Sequence, residues 1–147
     1  MGRKWDAAML NDRPSILVID DDDVTRSMMT DILEQEDYAV HCSTDGRAGL
    51  RRVLMGNVDL VLLDLVLPDY DGAELCREVH ATEKDHHLPV IMVTAMPGDV
   101  QGYARAAGAD DFLAKPFDND ELLGKVRTWL RDSDPGTGPS EAAGSRN

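Results

Sequence analysis

The sequence predicts a doubly wound α/β fold built on a parallel sheet, and three observations carry that reading. Short, almost wholly apolar runs recur: SILVID from Ser15, VDLVLLDL from Val58 and LPVIMVTA from Leu88. Each is followed by a segment whose apolar residues fall at helical spacing. Counting two weaker runs, YAVHCS from Tyr38 and DFLAK from Asp111, strand-like and helix-like segments alternate five times without an internal linker or repeat. Strands this apolar are usually covered by helices on both faces.

Each helix has its own stripe. Val24, Met28, Ile32 and Leu33 mark the first, and Ala48, Leu50, Val53 and Leu54 the second. Ala73, Leu75, Cys76 and Val79 mark the third. Tyr103, Ala104, Ala106 and Ala107 mark a small-residue fourth, with Gly108 where a C-terminal glycine belongs. Leu122, Val126, Trp129 and Leu130 mark the fifth, capped by Asp118 or Asn119. Trp129 and Phe117 are expected to pack against the core.

The bulk properties bound the function. At 147 residues the chain fits one domain with a sizeable core, and its hydrophobic fraction of 42% is that of a globular protein. No apolar run approaches the ~20 residues of a membrane span. The opening MGRKWDAAMLNDRP lacks the apolar centre of a signal peptide, and Met-Gly with Asp6 is a poor myristoylation match. Cys42 and Cys76, both in apolar contexts, make no disulfide framework, so a reduced cytoplasmic setting is expected. A net charge of −13 argues against direct nucleic-acid binding. Residues 1–13 are expected to be a polar leader, 14–132 the ordered domain, and the Gly/Pro/Ser-rich 133–147 a disordered tail.

Doubly wound sheets bind ligands outside the carboxyl ends of their strands. There the sequence places Asp20-Asp21, Asp64, Thr94-Ala95 and Lys115-Pro116. Taken singly, a strand-ending Asp is a turn or cap residue, a Thr reflects strand propensity and Lys-Pro is a loop. Together they put three carboxylates, a hydroxyl and an ammonium on one rim. Clustered carboxylates suit a hard cation, and Mg²⁺ takes one or two carboxylates plus waters and phosphate oxygens. Asp20, Asp21 and Asp64 are therefore candidate Mg²⁺ ligands, while Asp22 and Asp23 begin the next loop and cap the first helix. A carboxylate can also be a nucleophile that becomes an acyl phosphate, with Lys115 and the metal neutralising phosphoryl oxygens.

On these residues, together with Phe112, the stretch from Ser15 to Arg131 resembles the receiver domain of two-component response regulators. The spacings fit: 44 residues from Asp20 to Asp64, 30 on to Thr94 and 21 on to Lys115. The resemblance implies a flavodoxin-like five-stranded sheet in order 2-1-3-4-5. It implies Asp64 as phosphoacceptor from a histidine kinase or phosphotransfer protein, assisted by Lys115 and Thr94. It implies Mg²⁺ on Asp20, Asp21, Asp64 and the Val66 carbonyl, a switch pair in Thr94 and Phe112, and a cis peptide before Pro116. It also makes Val66 and Met96 the residues that decide whether water reaches the phosphoryl group. Such a domain is a switch that promotes its own phosphorylation and dephosphorylation, with no turnover of an external substrate. No DNA-binding or catalytic output domain is expected after Arg131. A stand-alone regulator acting through a downstream protein target is therefore expected, unless the chain is cut from something longer; a phosphorylation-dependent dimer is one further form of contact.

Two other functions compete. DDDDV, Asp20 to Val24, fits the nucleophile motif of haloacid-dehalogenase-like phosphatases, but there the lysine precedes the second acidic pair, whereas Asp110-Asp111 precede Lys115. A receiver-fold binding module that never takes phosphate is opposed by intact Asp64, Thr94 and Lys115. A calcium loop from Asp20 fails because Thr25 stands at the turn-glycine position. His86-His87 lack a partner at metal-ligand spacing and are expected to be a solvated loop.

Overall fold

The computed structural model describes residues 13–83, 86–95, 98 and 100–133. The expected leader and tail therefore fall almost wholly outside the described residues, as does Met96. The strands are β1 Ser15–Ile19, β2 Ala39–Ser43, β3 Leu60–Leu63, β4 Val90–Thr94 and β5 Asp111–Ala114. The helices are α1 Asp23–Glu34, α2 Gly46–Leu54, α3 Gly72–Ala81, α4 Val100–Ala106 and α5 Asn119–Ser133. All strand pairs are parallel, in the order β2-β1-β3-β4-β5. No helix among the described residues is long and apolar enough to cross a membrane.

Strand residues alternate between two cores, as a period of two requires. Leu17, Ile19, Val61 and Leu63 join α2, α3 and α4 through Val53, Leu75, Val79 and Ala104. Ile16, Val18, Leu60 and Leu62 join α1 and α5 through Met29, Leu33, Leu122 and Val126. Phe117 and Trp129 pack against the second cluster. The Trp129 indole also donates to Asp111 Oδ2 at 2.9 Å, tying α5 to the start of β5.

Helix starts follow side-chain chemistry. Asp22 accepts from the Thr25 amide at 2.8 Å and caps α1. Asp118 and Glu121 form a reciprocal capping box at α5, with bonds of 2.8 and 2.9 Å. Gly108, at φ +90°, ends α4 in the left-handed conformation that glycine adopts most readily.

The helix stripes need correction in places. On α1 the buried residues are Met29, Ile32 and Leu33, while Val24 is 74% and Met28 41% exposed. On α2, Leu54 faces solvent, Gly46 packs against Tyr70 and Gly49 faces the sheet. A Cβ on Gly49 would lie 2.5 Å from Ile19 Cδ1, so glycine lets α2 sit directly on β1. On α4, Ala104 is buried, as is Ala107 just beyond its end, whereas Ala106 and Tyr103 are exposed. Cys42 is also exposed, against its apolar context in sequence.

Candidate functional site

Strand register assembles the site. Ile19 pairs with Leu63, so the next residues, Asp20 and Asp64, leave neighbouring strands side by side. Thr94 pairs with Ala114, which sets Lys115 one step beyond Thr94. The main chain extends these ladders: Asp64 N–H donates to Ile19 O at 3.0 Å and Lys115 N–H to Thr94 O at 2.9 Å. The chain leaves β1 toward β2 on one side and reaches β3 on the other, so the crevice between β1 and β3 is the topological switch point.

One ligand oxygen from each of Asp20, Asp21 and Asp64 lies within 4.8 Å of the others. Asp20 is 1% exposed, Asp64 is buried and Asp21 stands open at the mouth. Lys115 reaches in from β5, its Nζ 2.8 Å from Asp20 Oδ2 and 3.4 Å from Asp64 Oδ2. Burial works against its ammonium, but Asp20 and Asp64 outweigh burial and hold its pKa above the usual lysine value. Burial likewise pushes the Asp64 carboxyl above the ordinary carboxylate range, against the Val66 amide and Lys115, with Asp20 adding to the rise. Among the described residues Lys115 supplies the one ammonium paired with this group of three carboxylates, so the pocket suits a further cation. An all-oxygen donor set that is part buried and part open fits Mg²⁺.

The loop after β3 is fixed by close packing. Val66 N–H donates to Asp64 Oδ1 at 3.2 Å, and the Val66 side chain faces solvent. Gly72 N–H donates to Leu65 O at 3.0 Å. A Cβ on Gly72 would stand 2.6 Å from Leu65 Cα and 2.9 Å from Asp64 O, both backbone atoms. Gly72→Ala must therefore displace either α3 or the acceptor loop. We expect a loss of about 1–3 kcal/mol in denaturant unfolding, with weaker Mg²⁺ binding in the protein that still folds.

Thr94 is 1% exposed at the end of β4, and Phe112 is half-buried on β5 against the α2/α3/α4 core. The Lys125 ammonium sits 5.4 Å from the centre of the Phe112 ring. The Lys115–Pro116 peptide is cis. Asp20, Asp21, Asp64, Thr94 and Lys115 are thus at this rim, Phe112 lies two residues inside β5, and Met96 lies outside the described residues. Sequence reasoning missed Arg26, whose Nη1 donates to the Asp20 carbonyl at 2.7 Å while its other nitrogen pairs with Asp23. No motif marks a lone arginine one turn into a helix. Also missed was Asp71, which caps α3 and accepts the Tyr103 hydroxyl at 3.1 Å.

His87 corrects an expectation. His86 and His87 do lie in an exposed loop, but the His87 ring also stacks on His80 with centroids 4.9 Å apart and meets Glu83 and Asp110. Of its partners, Glu83 is four residues back in the same loop, while His80 is on α3 and Asp110 directly precedes β5, a convergence the sequence does not reveal.

A parallel 2-1-3-4-5 sheet carrying an acidic pocket and a lysine at its carboxyl edge defines a receiver-type protein. The family model for the response regulator receiver domain matches residues 16–127, and the chain belongs to that family. It is 39% identical over 123 residues to the DNA-binding dual master transcriptional regulator RpaA of Synechocystis, covering 82% of this chain and 51% of that protein. Identity is also 39% over 129 residues to the response regulator MprA of Mycolicibacterium vanbaalenii, covering 87% and 55%. The chain thus spans about half the length of these curated relatives. Among solved structures, it is similar to response regulator TrrA of Thermotoga maritima in complex with Mg²⁺ and beryllofluoride. That match has a TM-score of 0.72 and 32% identity, covering 80% of this chain and 99% of that one. The receiver domain of the Pseudomonas aeruginosa sensor histidine kinase PA1611, with magnesium in its active-site cleft, matches at TM-score 0.72 and 31% identity, covering 80% and 98%. The chain is therefore a receiver domain of two-component signalling, a class of phosphorylation-controlled switches.

Proposed function

We propose that Asp64 is the phosphoacceptor, taking its phosphoryl group from a histidine kinase or phosphotransfer protein. The observation that supports this most is the lysine bridge: Lys115 Nζ lies 2.8 Å from Asp20 and 3.4 Å from Asp64. Of the two acids beside that ammonium, Asp64 keeps the greater exposure, 10% of its side chain against 1% for Asp20. In the reaction an Asp64 oxygen bonds to phosphorus as the donor's N–P bond breaks, and the departing imidazole takes up a proton. Lys115 stabilises the charge on the phosphoryl oxygens, and the Thr94 hydroxyl hydrogen-bonds one of them once transfer is complete. Asp20, Asp21, Asp64 and the Val66 carbonyl would hold Mg²⁺, which when bound would supply charge neutralisation. The chain turns over no external substrate.

Phosphorylation then shifts a population between two packings, drawing Thr94 inward and moving Phe112 into the space it leaves. The surface of α4, β5 and α5 is the expected output face, reported by exposed Tyr103. Val126, the other residue of interest there, lies in the core and reads packing instead. The partners are a cytoplasmic kinase or phosphotransfer protein and a downstream target. The test is incubation with a small acyl-phosphate donor. We expect base-labile phosphate on the protein with Mg²⁺ and almost none after chelation; equal incorporation without the metal would count against the reading.

A further inference from the structure

At the other end of the sheet, four side chains from three parts of the chain converge. His80 is in the last turn of α3, Glu83 and His87 lie between α3 and β4, and Asp110 directly precedes β5. Asp110 is anchored, because its Oδ2 accepts the amide of Val90, the first residue of β4, at 2.8 Å. The length of β4, about 13 Å at 3.3 Å per residue, separates this cluster from Thr94 at the acidic rim.

We propose that His80, Glu83 and His87 bind a divalent transition-metal ion of the Zn²⁺ class, with Asp110 orienting His87. One donor atom from each of the three lies within 4.8 Å of the others. Zinc holds nitrogen and oxygen ligands at about 2.0–2.2 Å, so two ligands of one tetrahedral ion stand about 3.3 Å apart. The observed edges straddle that value: His87 Nδ1 is 3.0 Å and His80 Nε2 is 3.7 Å from Glu83 Oε2.

The remaining contacts fit outer support for such a site. With Nδ1 on the metal, His87 presents Nε2–H to Asp110 Oδ1, 2.6 Å away. A carboxylate on the far nitrogen is the usual way a ligating histidine is oriented. Asp110 Oδ2 also lies 3.3 Å from His80 Nε2, within reach of the same ion. The Nδ1 of His80 faces the Cys76 thiol at 3.9 Å. His80, Glu83 and Asp110 are mostly shielded while His87 is half-exposed, which leaves a path for entry. Two imidazoles with carboxylate favour zinc-like ions over Mg²⁺ and Ca²⁺, which prefer oxygen. The chain would thus carry two cation sites of different chemistry, one at each end of the sheet.

The competing account is a metal-free ion-pair network among the same four groups. To separate them, chelator-stripped protein is titrated with Co²⁺, and Zn²⁺ is then used to displace it. The titration is done in the wild type and in an Asp20→Asn/Asp21→Asn variant that removes the acidic-pocket ligands. We expect one Co²⁺ per chain with the strong visible bands of four-coordinate cobalt in both, displaced by Zn²⁺ and untouched by millimolar Mg²⁺, while any Co²⁺ in the wild-type acidic pocket gives only weak bands and is displaced by that Mg²⁺. His80→Gln, His87→Gln and Glu83→Gln should each weaken binding at least ten-fold, and His86→Gln should leave it unchanged. Ring-nitrogen spectra of the wild type should show His80 and His87 shifting with one equivalent of Zn²⁺, whatever the fate of the variants. Absence of stoichiometric binding in the wild type would overturn the proposal. So would binding that survives loss of both histidines, disappears with Asp20 and Asp21, or depends on His86.

Discussion

Asp64→Asn should abolish phosphate incorporation and, at the same time, make the metal-free protein more stable. The first effect follows from chemistry: an amide oxygen is too poor a nucleophile to form the acyl phosphate. The second follows from burial, which raises the Asp64 pKa above its ordinary value in the fold. A carboxyl with a raised folded pKa contributes stability that is complete below the unfolded pKa and is lost as pH rises through the folded value. At neutral pH the wild type therefore carries a penalty that asparagine lacks. Lys115 keeps its shorter bond to Asp20, at 2.8 Å, so the substitution leaves that ammonium paired. We expect the melting temperature in chelator to rise on the order of a few degrees at pH 7. The gap should close as pH falls below the ordinary carboxylate range. A variant less stable than the wild type across this range would mean that Asp64 is held mainly by favourable contacts.

The second large effect is the response to Mg²⁺. Asp20, Asp21 and Asp64 face a single lysine, so an ion that binds only the folded state stabilises it by mass action. At one hundred times the dissociation constant the gain is about 2.7 kcal/mol, a shift on the order of 10 °C for a domain of this size. Sodium at matched ionic strength should give far less, because screening alone cannot replace a bound divalent ion. Asp20→Ala/Asp21→Ala should remove the response. An unchanged shift in that variant would place the ion elsewhere.

The sheet and its rim were legible because chemistry changes abruptly there. Ile16–Ile19 run into Asp20 and Leu60–Leu63 into Asp64, and no buried strand tolerates carboxylates in its middle. Register then aligns those ends without further information. Helix faces were less legible. Val24 and Met28 continue the stripe of Ile32, but α1 meets the sheet through Met29, Ile32 and Leu33 and leaves the others in water. Such a wide apolar stripe hides which part is pressed to the core. Gly72 gave no signal either, since its role is the approach of a helix to Leu65 Cα and the Asp64 carbonyl, a distance set by tertiary packing. Asp110 could not be joined to His80, Glu83 and His87 for a related reason, although those three stand only three and four residues apart. His80 Nε2 and Asp110 Oδ2 are 3.3 Å apart in space and 30 residues apart in sequence.

The most direct test is to locate the phosphoryl group. The protein is treated with a small acyl-phosphate donor and Mg²⁺, reduced with borohydride, and mapped by peptide mass spectrometry. Reduction converts an aspartyl phosphate to homoserine, which marks the acceptor permanently. The expected result is homoserine at position 64 alone, absent when Mg²⁺ is chelated. Homoserine at position 20 or 21, with Asp64 intact, would contradict the account and favour the phosphatase-like use of the first aspartates.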